Sequence, residues 1–490
     1  MSRYESRLFA RQEVDDFFTP AADVEAVPAR IPWRPIGNIL RLLMDILFLQ
    51  VLLAVAVWVT DFLVPVSGEV RPLALILLLF PLGGYLWGLY PGYGLPTVER
   101  FRRHVHLTFS FFTMAMILTH LLPESRSTLA PLLVMMVLTL TLMPPLQLLV
   151  LRHLASCGWW GTPVVVVGAT TSGAAVIRSL LSDLSLGLRP VAVLDDDPLA
   201  AGKSVEGVAV AGPITDASKF AGVVTYVIVA LPETRFEKLS RIIENLSFPH
   251  VIILPRIQGL QSLWVDGRDL NGFLGLELKK NIFSEHNLLL KRVMDLVLGV
   301  PLFLLSIPVM AVCALAILIV DGRPVFFAQD REGYMGKRLK IYKLRTMCRN
   351  SEHVLERHLM ENPAAREEWR KYLKLKKDPR ILPVIGRFMR KMSLDELPQL
   401  WNVVRGELSL IGPRVFAYWH LEKFCDDFRN LRRSVRPGLS GLWQVTARND
   451  GDLEVQEVLD TYYIRNWSIW MDLVLLGRTV WVVLSGKGAY

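Results

Sequence analysis

The sequence predicts a membrane protein of three parts: a transmembrane bundle of four helices, an α/β domain with a Rossmann-like parallel sheet, and an α-rich monotopic domain with a re-entrant helix. Three observations favour this fold class. Hydrophobic residues make up 52% of the 490 residues and concentrate in long, nearly uncharged stretches. Short β-branched runs then alternate with amphipathic patterns, which is typical of βαβ units. A last apolar stretch has basic clusters on both sides.

Composition limits the classes of function. The chain has 55 Lys and Arg against 46 Asp and Glu, and its net charge of +9 fits nucleic acid, anionic lipid or a phosphorylated substrate. Because the apolar stretches indicate a membrane protein, we expect phospholipid and phosphorylated substrates as partners, and no nucleic acid. The four cysteines lie far apart without paired spacing, so neither a zinc site nor a disulfide framework is expected.

A chain of this length suits about three folded domains of ~150 residues each. We expect a cytoplasmic N-terminal tail at 1–37, a transmembrane domain at 38–155 and a Rossmann-like domain at 160–278. The C-terminal domain is placed at 282–490, with its re-entrant membrane helix at 290–320.

Four apolar stretches predict the transmembrane bundle, since a helix needs roughly 20 apolar residues to cross the hydrocarbon core. They are 39–60, 72–90, 105–122 and 129–151. Lys and Arg concentrate in the N-terminal segment, in the loop before the third stretch and after the fourth, so the positive-inside rule places these segments in the cytoplasm. Asp45 is interpreted as an i,i+4 partner of Arg41 near the interface. An intramembrane functional acid is the alternative.

The segment after the fourth stretch predicts a parallel sheet. Its strand-like runs are 163–168, 190–194, 226–231 and 251–254. The segment from Gly168 to Gly173 stands where a dinucleotide-binding loop would be, and Asp195 lies where a ribose-binding acid would fall. Because the G-x-G of that fingerprint is missing, we favour a degenerate module with a regulatory or oligomerising role over a working nucleotide site.

The apolar stretch from Val293 to Val320 has 28 residues, enough for a straight helix of roughly 42 Å. Crossing the membrane would carry one of its flanking basic clusters to the outer face. Pro308 removes a backbone N–H near the middle and can bend or break the helix. We therefore expect a helix–break–helix that enters and leaves by the cytoplasmic face, with Ser306 satisfying a freed backbone group. A kinked fifth span is the alternative.

A pair of adjacent acids in the C-terminal domain suggests catalysis. Asp395 and Glu396 follow Ser393 closely, and the spacing of Ser393 and Glu396 is that of a capping box, which could simply start a helix. A capping box does not require Asp395, however. A carboxylate in a first helical turn stays ionised under the helix dipole and nearby cations, which suits a nucleophile or a metal ligand.

Further motifs extend in one order from Lys291 to the C-terminus. They are Lys291-Arg292 with Asp295, the Pro308 break, Pro324–Phe326 with Gln329, Arg331–Gly333 with Gly336, Lys343–Met347, Asp378–Arg380, Ser393–Leu400, Leu408–Arg414, Arg436–Val445, Asn466–Ser468 and Asp472. Together these motifs resemble those of the monotopic polyprenyl-phosphate hexose-1-phosphate transferases of bacterial polysaccharide assembly. With the four spans and the Rossmann-like segment, the chain resembles the larger members, of the undecaprenyl-phosphate galactose phosphotransferase type.

The resemblance implies a reaction. A UDP-hexose donates hexose-1-phosphate to undecaprenyl phosphate and UMP is released, as the first membrane step of O-antigen, capsule or exopolysaccharide synthesis. Asp395 would be the nucleophile that forms an aspartyl-phosphosugar intermediate, and Glu396 would bind Mg2+ together with Asp395. Cations would neutralise the phosphate oxygens. The candidates are Lys343, Arg345, Arg390, Lys391, Arg414 and Arg448. For each of them, a surface or lipid-headgroup contact is the alternative.

We also expect a homodimer in the bacterial inner membrane, with the Rossmann-like and C-terminal domains in the cytoplasm. Galactose is favoured over glucose by overall architecture. A nucleotide-sugar dehydratase or epimerase would need a YxxxK base in the Rossmann-like segment, but the only such pattern, Tyr372–Lys376, lies outside it. A non-enzymatic assembly scaffold would be expected to have lost the two acids. Both classes are therefore disfavoured.

Overall fold

The computed structural model describes most of the chain. The described residues are 19–20, 34–63, 71–121, 128–220, 222–231, 236–244, 246, 248–254, 265–269, 274–278, 282, 284–372, 375, 378–446 and 453–485. The chain divides into two compact units, Met1–Gln258 and Gly259–Tyr490. Each unit is built around its own apolar helices and its own sheets.

The first unit begins with the predicted apolar helices. In chain order they are α1 (Arg34–Leu63), the pair α2 (Arg71–Ile76) and α3 (Phe80–Leu86), α4 (Thr97–Leu121) and α5 (Leu129–Ser156). Three of them, α1, α4 and α5, are long and apolar enough to cross a membrane. Both α1 and α4 pack against α5, and the side chains between the helices form an apolar core. Four apolar N-terminal helical segments are thus confirmed.

The second segment is shorter than the predicted 72–90. Its apolar helical part, Leu73–Leu86, would be about 21 Å long at 1.5 Å per residue, against roughly 30 Å of hydrocarbon. Pro81 lies in the first turn of α3, a position where proline starts a helix because its missing N–H would be unpaired anyway. Gly88, with φ of +67°, takes a left-handed conformation just beyond the helix end.

The expected i,i+4 pairing of Arg41 with Asp45 is not made as a direct contact, although the two charges lie close enough to interact. Both side chains are buried and described, and they form no ion pair within 4 Å of each other. Tyr90 Oη donates to Asp45 Oδ2 at 2.5 Å and Gln147 Nε2 donates to the same oxygen at 3.1 Å. Arg41 Nη1 donates to the carbonyl of Pro91 at 2.8 Å. The hydrogen-bond partners of Arg41 and Asp45 therefore come from the segment after α3 and from α5, whereas helix spacing alone had paired the two residues with each other.

A seven-stranded mixed sheet completes the first unit. Its strands are β1 (Thr19–Pro20), β2 (Thr162–Val167), β3 (Leu188–Leu194), β4 (Lys203–Val205), β5 (Val208–Gly212), β6 (Tyr226–Val229) and β7 (His250–Ile253), with helices α6 (Thr171–Ser182) and α7 (Phe236–Glu244). The order is β1-β4-β5-β3-β2-β6-β7, and the five strands from β5 to β7 in that order are parallel. Counted from β2, the parallel part has the order 3-2-1-4-5, which is the Rossmann order 3-2-1-4-5-6 without its sixth strand. The predicted parallel sheet is confirmed.

The glycine loop and the acid of the predicted nucleotide pattern are neighbours. The backbone N–H of Ala169 donates to Asp195 Oδ2 at 2.6 Å. Gly168 has φ of +111°, and a Cβ there would come within 2.7 Å of the carbonyl oxygen of Ala230, so the position requires glycine. A regulatory or oligomerising role for this module stays a prediction.

The second unit is mainly helical, as predicted. Its elements are the hairpin β8 (Val265–Asp269) and β9 (Leu274–Leu278), α8 (Glu285–Asp321), the hairpin β10 (Phe326–Glu332) and β11 (Arg338–Leu344), α9 (Ser351–Glu361), α10 (Pro363–Tyr372), α11 (Ile385–Lys391), α12 (Gln399–Arg405), β12 (Ser409–Ile411), α13 (Tyr418–Leu421), α14 (Asp426–Arg433), β13 (Gly438–Ser440), α15 (Leu442–Thr446), α16 (Leu453–Arg465) and α17 (Ile469–Ser485). Strands β12 and β13 pair in parallel.

The predicted interruption of the membrane helix at Pro308 is wrong as secondary structure. One helix, α8, runs from Glu285 to Asp321 through Pro308. A helix can continue through a proline when the other backbone hydrogen bonds are kept. It then loses one backbone hydrogen bond and bends at the proline. Ser306 Oγ donates to the carbonyl of Phe303 at 2.7 Å, rather than to the carbonyl of Leu304 that Pro308 deprives of its donor. The course of α8 relative to the membrane stays a prediction.

A buried ion pair fastens the start of α8 to the rest of the unit. Lys291 Nζ lies 2.6 Å from Asp472 Oδ2, at the start of α17, and also donates to the carbonyl of Ile411 at 2.9 Å. Tyr463 and Trp467 donate to the same carboxylate at 2.7 and 2.9 Å. Both ions are buried, so the carboxylate and the ammonium are satisfied almost wholly by protein groups.

Two further charged residues of α8 extend this attachment. Asp295 Oδ1 accepts hydrogen bonds from Ser409 Oγ at 3.0 Å and from the backbone N–H of Leu410 at 2.9 Å, both in β12. Arg292 donates from both terminal nitrogens, at 2.7 Å each, to two carbonyls in the last turns of α12. The motif residues of α8 therefore act as structural contacts to β12 and α12.

We expect Asp472→Asn to lower the stability of the second unit by about 3–5 kcal/mol, because it removes the carboxylate charge that contacts the buried Lys291 ammonium. Thermal unfolding of the detergent-solubilised protein, followed by tryptophan fluorescence, measures the loss. Arg338→Ala is the control, since its ion pair with Asp330 joins side chains that are 76% and 40% exposed and should contribute at most about 1 kcal/mol. Equal losses in the two variants would contradict the anchoring role of the buried pair.

Candidate active site

The two adjacent acids lie in a single 3-10 turn. Asp395 and Glu396 end the turn Leu394–Glu396, between α11 and α12. Ser393 makes no side-chain cap to this turn, and α12 begins only at Gln399, so the capping-box interpretation is wrong. Ser393 itself has φ of +54°, a left-handed conformation that is uncommon for a non-glycine residue. Such strained positions cluster at active sites.

The β10–β11 hairpin directs cations toward this turn. The register places Phe327 opposite Lys343 and Arg331 opposite Leu339. Since side chains alternate along each strand, Lys343 and Arg331 point to the same face of the hairpin. Lys343 Nζ forms an ion pair with Glu396 Oε1 at 2.5 Å.

Opposing effects set the charge of Asp395, which is half-buried. Burial raises the pKa of Asp395 to about 6, because desolvation disfavours the charged carboxylate. The ammonium of Lys343 lowers this pKa, the neighbouring charge of Glu396 raises it, and the guanidinium of Arg390 lowers it. With a pKa below 7, the ionised form of Asp395 is favoured at neutral pH.

Arg390, in α11, approaches the pair of acids Asp395 and Glu396, called the dyad below. Its Nε donates to Thr346 Oγ1 at 2.9 Å. Burial lowers the pKa of Arg390, whereas the charges of Asp395 and Asp378 raise it. Arg390 therefore lies near both acids. Asp378 also pairs with Arg380 at 2.6 Å, and Asp395 also has the Lys343 ammonium nearby.

Arg414 and Arg331 form the second cationic side of the site. Arg414 follows β12, and its guanidinium carbon lies 5.1 Å from the centre of the Trp443 ring. Burial lowers the pKa of Arg331, the charge of Arg414 lowers it further, and the charge of Glu396 raises it. These mutual effects place Arg331 and Arg414 close to each other, and Arg331 close to Glu396.

Arg331 was not among the predicted phosphate-binding residues. Its Nη2 donates to Gln329 Oε1 at 2.6 Å, and its buried Nε has no hydrogen-bond acceptor among the residues that the structure describes. The signal that could have found it is the strand alternation that relates it to Lys343 across the hairpin.

Arg345 is a correction to the predicted phosphate-binding set. Its guanidinium is buried and its five N–H groups are used within the protein. The acceptors are the Asp321 carboxylate and the carbonyls of Asp321, Gly322, Pro324 and Met347. Arg345 therefore holds the C-terminal end of α8.

Two other predicted cations are not brought to the dyad by any contact in the described part of the chain. Lys391 is exposed at the last residue of α11. Arg448 lies outside the described residues. Of the six predicted cations, the structure thus brings Lys343 and Arg390 to the two acids. Arg414 is related to them only through Arg331, which lies near both Arg414 and Glu396.

The described residues contain no group of three or more His, Cys, Asp or Glu side chains that could hold a metal ion by themselves. The site offers two adjacent carboxylates, Asp395 and Glu396. This donor set fits Mg2+, which proteins commonly bind through one or two carboxylates together with substrate phosphates and water. Zn2+ would require more protein ligands.

Comparison with known proteins adds family information to this geometry. Residues 286–486 match the family model described as bacterial sugar transferase, and residues 98–254 match the model described as CoA-binding domain. The undecaprenyl-phosphate galactose phosphotransferase of Salmonella typhimurium is 35% identical over 356 residues, 72% of this chain and 74% of that protein. The UDP-galactose-lipid carrier transferase of Erwinia amylovora is 34% identical over 68% of this chain and 70% of that protein. The UDP-glucose:undecaprenyl-phosphate glucose-1-phosphate transferase of Escherichia coli K12 is 31% identical over 67% and 68%.

The apolar helices and the acid pair among cations define a membrane-attached transferase of the phosphoglycosyl class. The chain belongs to the bacterial sugar transferase family, because relatives at least 30% identical to it match over more than two thirds of their length. The family membership and the enzyme class predicted from the motifs are thereby confirmed.

Proposed function

We propose that the chain transfers hexose-1-phosphate from a UDP-hexose to undecaprenyl phosphate and releases UMP, through a covalent intermediate on Asp395. The observation that carries the proposal is the Asp395–Glu396 pair, held on one 3-10 turn between Lys343 and Arg390 with Asp395 mostly ionised at neutral pH. The names of the relatives support undecaprenyl phosphate as the acceptor.

The proposed reaction has two displacements at one phosphorus. An Asp395 carboxylate oxygen attacks the β-phosphorus of the UDP-hexose, and the bond from that phosphorus to the bridging oxygen breaks, so that UMP leaves with the electron pair. A phosphate oxygen of undecaprenyl phosphate then attacks the same phosphorus, and the Asp395 carboxylate leaves unchanged. The covalent step lets the nucleotide depart before the lipid phosphate enters.

The cations around the dyad serve to bring anionic reactants together. Lys343 and Arg390 lower the pKa of Asp395, and the same positive charges would stabilise the negative charge that develops on the phosphoryl oxygens. Arg414 and Arg331 form the second side of the site, where they would bind the phosphates of the donor. Asp395 and Glu396 would hold Mg2+, which when bound neutralises diphosphate charge.

Galactose is the proposed sugar. Two galactose-named relatives, at 35% and 34% identity, support it over glucose, for which the relative cited above is 31% identical. Transfer of glucose-1-phosphate is the second candidate. The presence of both acids and of their cations argues against an inactive assembly scaffold.

We further propose the bacterial inner membrane as the location, with α8 entering and leaving by the cytoplasmic face and with a homodimer as the functional form. Basic residues on both sides of α8 support the re-entrant course, because a crossing would expose one cluster on the outer face. Helix α17, with Trp481 71% exposed, suits contact with phospholipid at the interface.

The covalent mechanism predicts a half-reaction. Enzyme and UDP-hexose alone should release UMP in an amount equal to the enzyme, because nucleotide departure precedes lipid binding. Asp395→Asn keeps the side-chain size but removes the nucleophilic charge, so both this burst and steady-state turnover should be lost. Rapid-quench measurement of UMP, with UDP-galactose and UDP-glucose in parallel, tests the mechanism and the sugar together.

Matched variants sharpen this test. Glu396→Gln should lower turnover strongly and weaken its dependence on Mg2+, because it removes a ligand-capable charge and leaves the nucleophile. Lys391→Ala, at an exposed cation of α11, should leave the burst unchanged. Direct transfer in a ternary complex predicts no UMP until undecaprenyl phosphate is added, and near-normal turnover of Asp395→Asn would refute the assignment.

The ionisation of Asp395 predicts an acid limb in the pH profile. Because the carboxylate is the reactive form, kcat/KM for UDP-hexose should fall as the pH drops through about 6, the pKa of Asp395. Lys343 lowers this pKa, so Lys343→Met should move the limb to higher pH in addition to any loss of rate. The same limb in wild type and Lys343→Met would contradict the assignment of the limb to Asp395.

The re-entrant course predicts where thiol reagents reach α8. In a background without native cysteines, single cysteines replacing the exposed Ser284 and Arg323, before and after α8, should both be protected from a membrane-impermeant maleimide in intact spheroplasts. Both should react in inside-out vesicles. Glu124→Cys, in the expected outer loop, is the opposite control. Labelling of one α8 flank in spheroplasts would indicate a fifth crossing.

A further inference from the structure

A buried ion pair lies behind the loop that carries Arg414. Asp460, in α16, is 1% exposed and Arg432, in α14, is 8% exposed. Arg432 Nε lies 3.6 Å from Asp460 Oδ2. Burial raises the pKa of Asp460 to about 7, while the charges of Arg432 and Arg414 lower it. Because burying two charges seldom stabilises a fold more than apolar packing of the same volume, the pair calls for a role beyond stability.

Both ions reach the backbone of Arg414. Arg432 Nη2 donates a hydrogen bond to the carbonyl of Arg414. The backbone N–H of Arg414 lies close enough to the Asp460 carboxylate to favour its charged form. Arg432 thus holds the carbonyl of Arg414, and Asp460 interacts with the N–H on the other side of the same Cα. These contacts restrict rotation of the backbone at Arg414.

Aromatic rings fix the guanidinium that makes these contacts. The guanidinium carbon of Arg432 lies 4.2 Å from the centre of the Phe416 ring and 5.7 Å from that of Phe428. Both rings are buried. Packing against these rings therefore restricts the Arg432 side chain to one position, and a side chain that positions a neighbouring group must itself be restricted in this way.

We infer that Asp460 and Arg432 are positioning residues for Arg414: together they fix its backbone so that its side chain lies over Trp443 and near Arg331, on the phosphate-binding side of the dyad. The inference rests on the proposed function, in which Arg414 binds phosphate of the UDP-hexose. Neither Asp460 nor Arg432 touches substrate in this assignment. Their effect reaches the reaction only through Arg414.

The test is a double-mutant cycle with the donor KM as its readout. Asp460→Asn keeps the side-chain size and a carbonyl oxygen but removes the charge that holds Arg432. We expect it to raise the KM for UDP-hexose about tenfold and to change kcat much less, since binding is affected before the chemical step. Arg414→Ala should raise the same KM at least as much. In the Arg414→Ala background, Asp460→Asn should add less than about twofold, because residues that act through one group are not additive.

Two further variants keep the test decisive. Glu454→Gln, an exposed acid at the start of the same helix, should leave the KM unchanged. Arg432→Lys keeps the positive charge beside Asp460 but loses the planar fork, so it should raise the KM in the same non-additive way, and it carries the test if Asp460→Asn does not fold. Thermal unfolding of each variant identifies such a case.

The outcomes separate the inference from the proposed function. A wild-type KM for Arg414→Ala would remove Arg414 from the phosphate site and with it the basis of the inference. A raised KM for Arg414→Ala combined with fully additive effects of Asp460→Asn would overturn the positioning role alone. A wild-type KM for Asp460→Asn and Arg432→Lys, both folded, would overturn it as well.

Discussion

The ion pair between Lys291 and Asp472 lies at the junction on which the rest of the second unit depends. The same ammonium holds the carbonyl of Ile411, three residues before Arg414. One residue further along α8, Arg292 binds the end of α12, the helix that directly follows the two acids. A buried pair of this kind contributes little net stability, but it fixes which elements lie against the start of the membrane helix. The position of the dyad is therefore set with respect to α8.

The other end of α8 is tied to the site as well. Arg345 holds Asp321 and Gly322 at the end of the helix, and Lys343, two residues before it, pairs with Glu396. A lipid phosphate is confined to the membrane surface. If the active site is attached to both ends of an apolar helix of the same protein, the site stays at a fixed distance from that surface. An enzyme that uses a lipid phosphate gains from this, because its reacting groups are already positioned.

Sequence patterns predicted elements better than partners. The Val-rich runs predicted β2 and β6 because parallel strands buried on both faces are continuously apolar. The apolar runs of β3 and of the exposed edge strand β7 predicted these two strands as well. The same reasoning could not separate Lys343 from Arg345. Both are cations of one motif, but β11 ends at Leu344, so strand alternation no longer relates them and Arg345 turns to the carbonyls of α8. Likewise, the spacing of Arg41 and Asp45 allowed a pair within one helix, whereas the fold brings Tyr90 to Asp45. The sequence shows which residues are charged, but tertiary contacts decide which group forms the hydrogen bond or ion pair with each of them.

Burial and charge act against each other throughout the site. Desolvation raises the pKa of Asp395 to about 6 and that of Asp460 to about 7, and the cations close to each acid lower its pKa and so favour the charged form. No single element could supply those cations. Lys343 of β11 and Arg390 of α11 act on Asp395, whereas Arg432 of α14 and Arg414 after β12 act on Asp460. The proposed reaction of anionic partners at the partly buried Asp395 would therefore draw on several elements of the domain. This agrees with motifs that extend from Lys291 to Asp472 rather than forming one short segment.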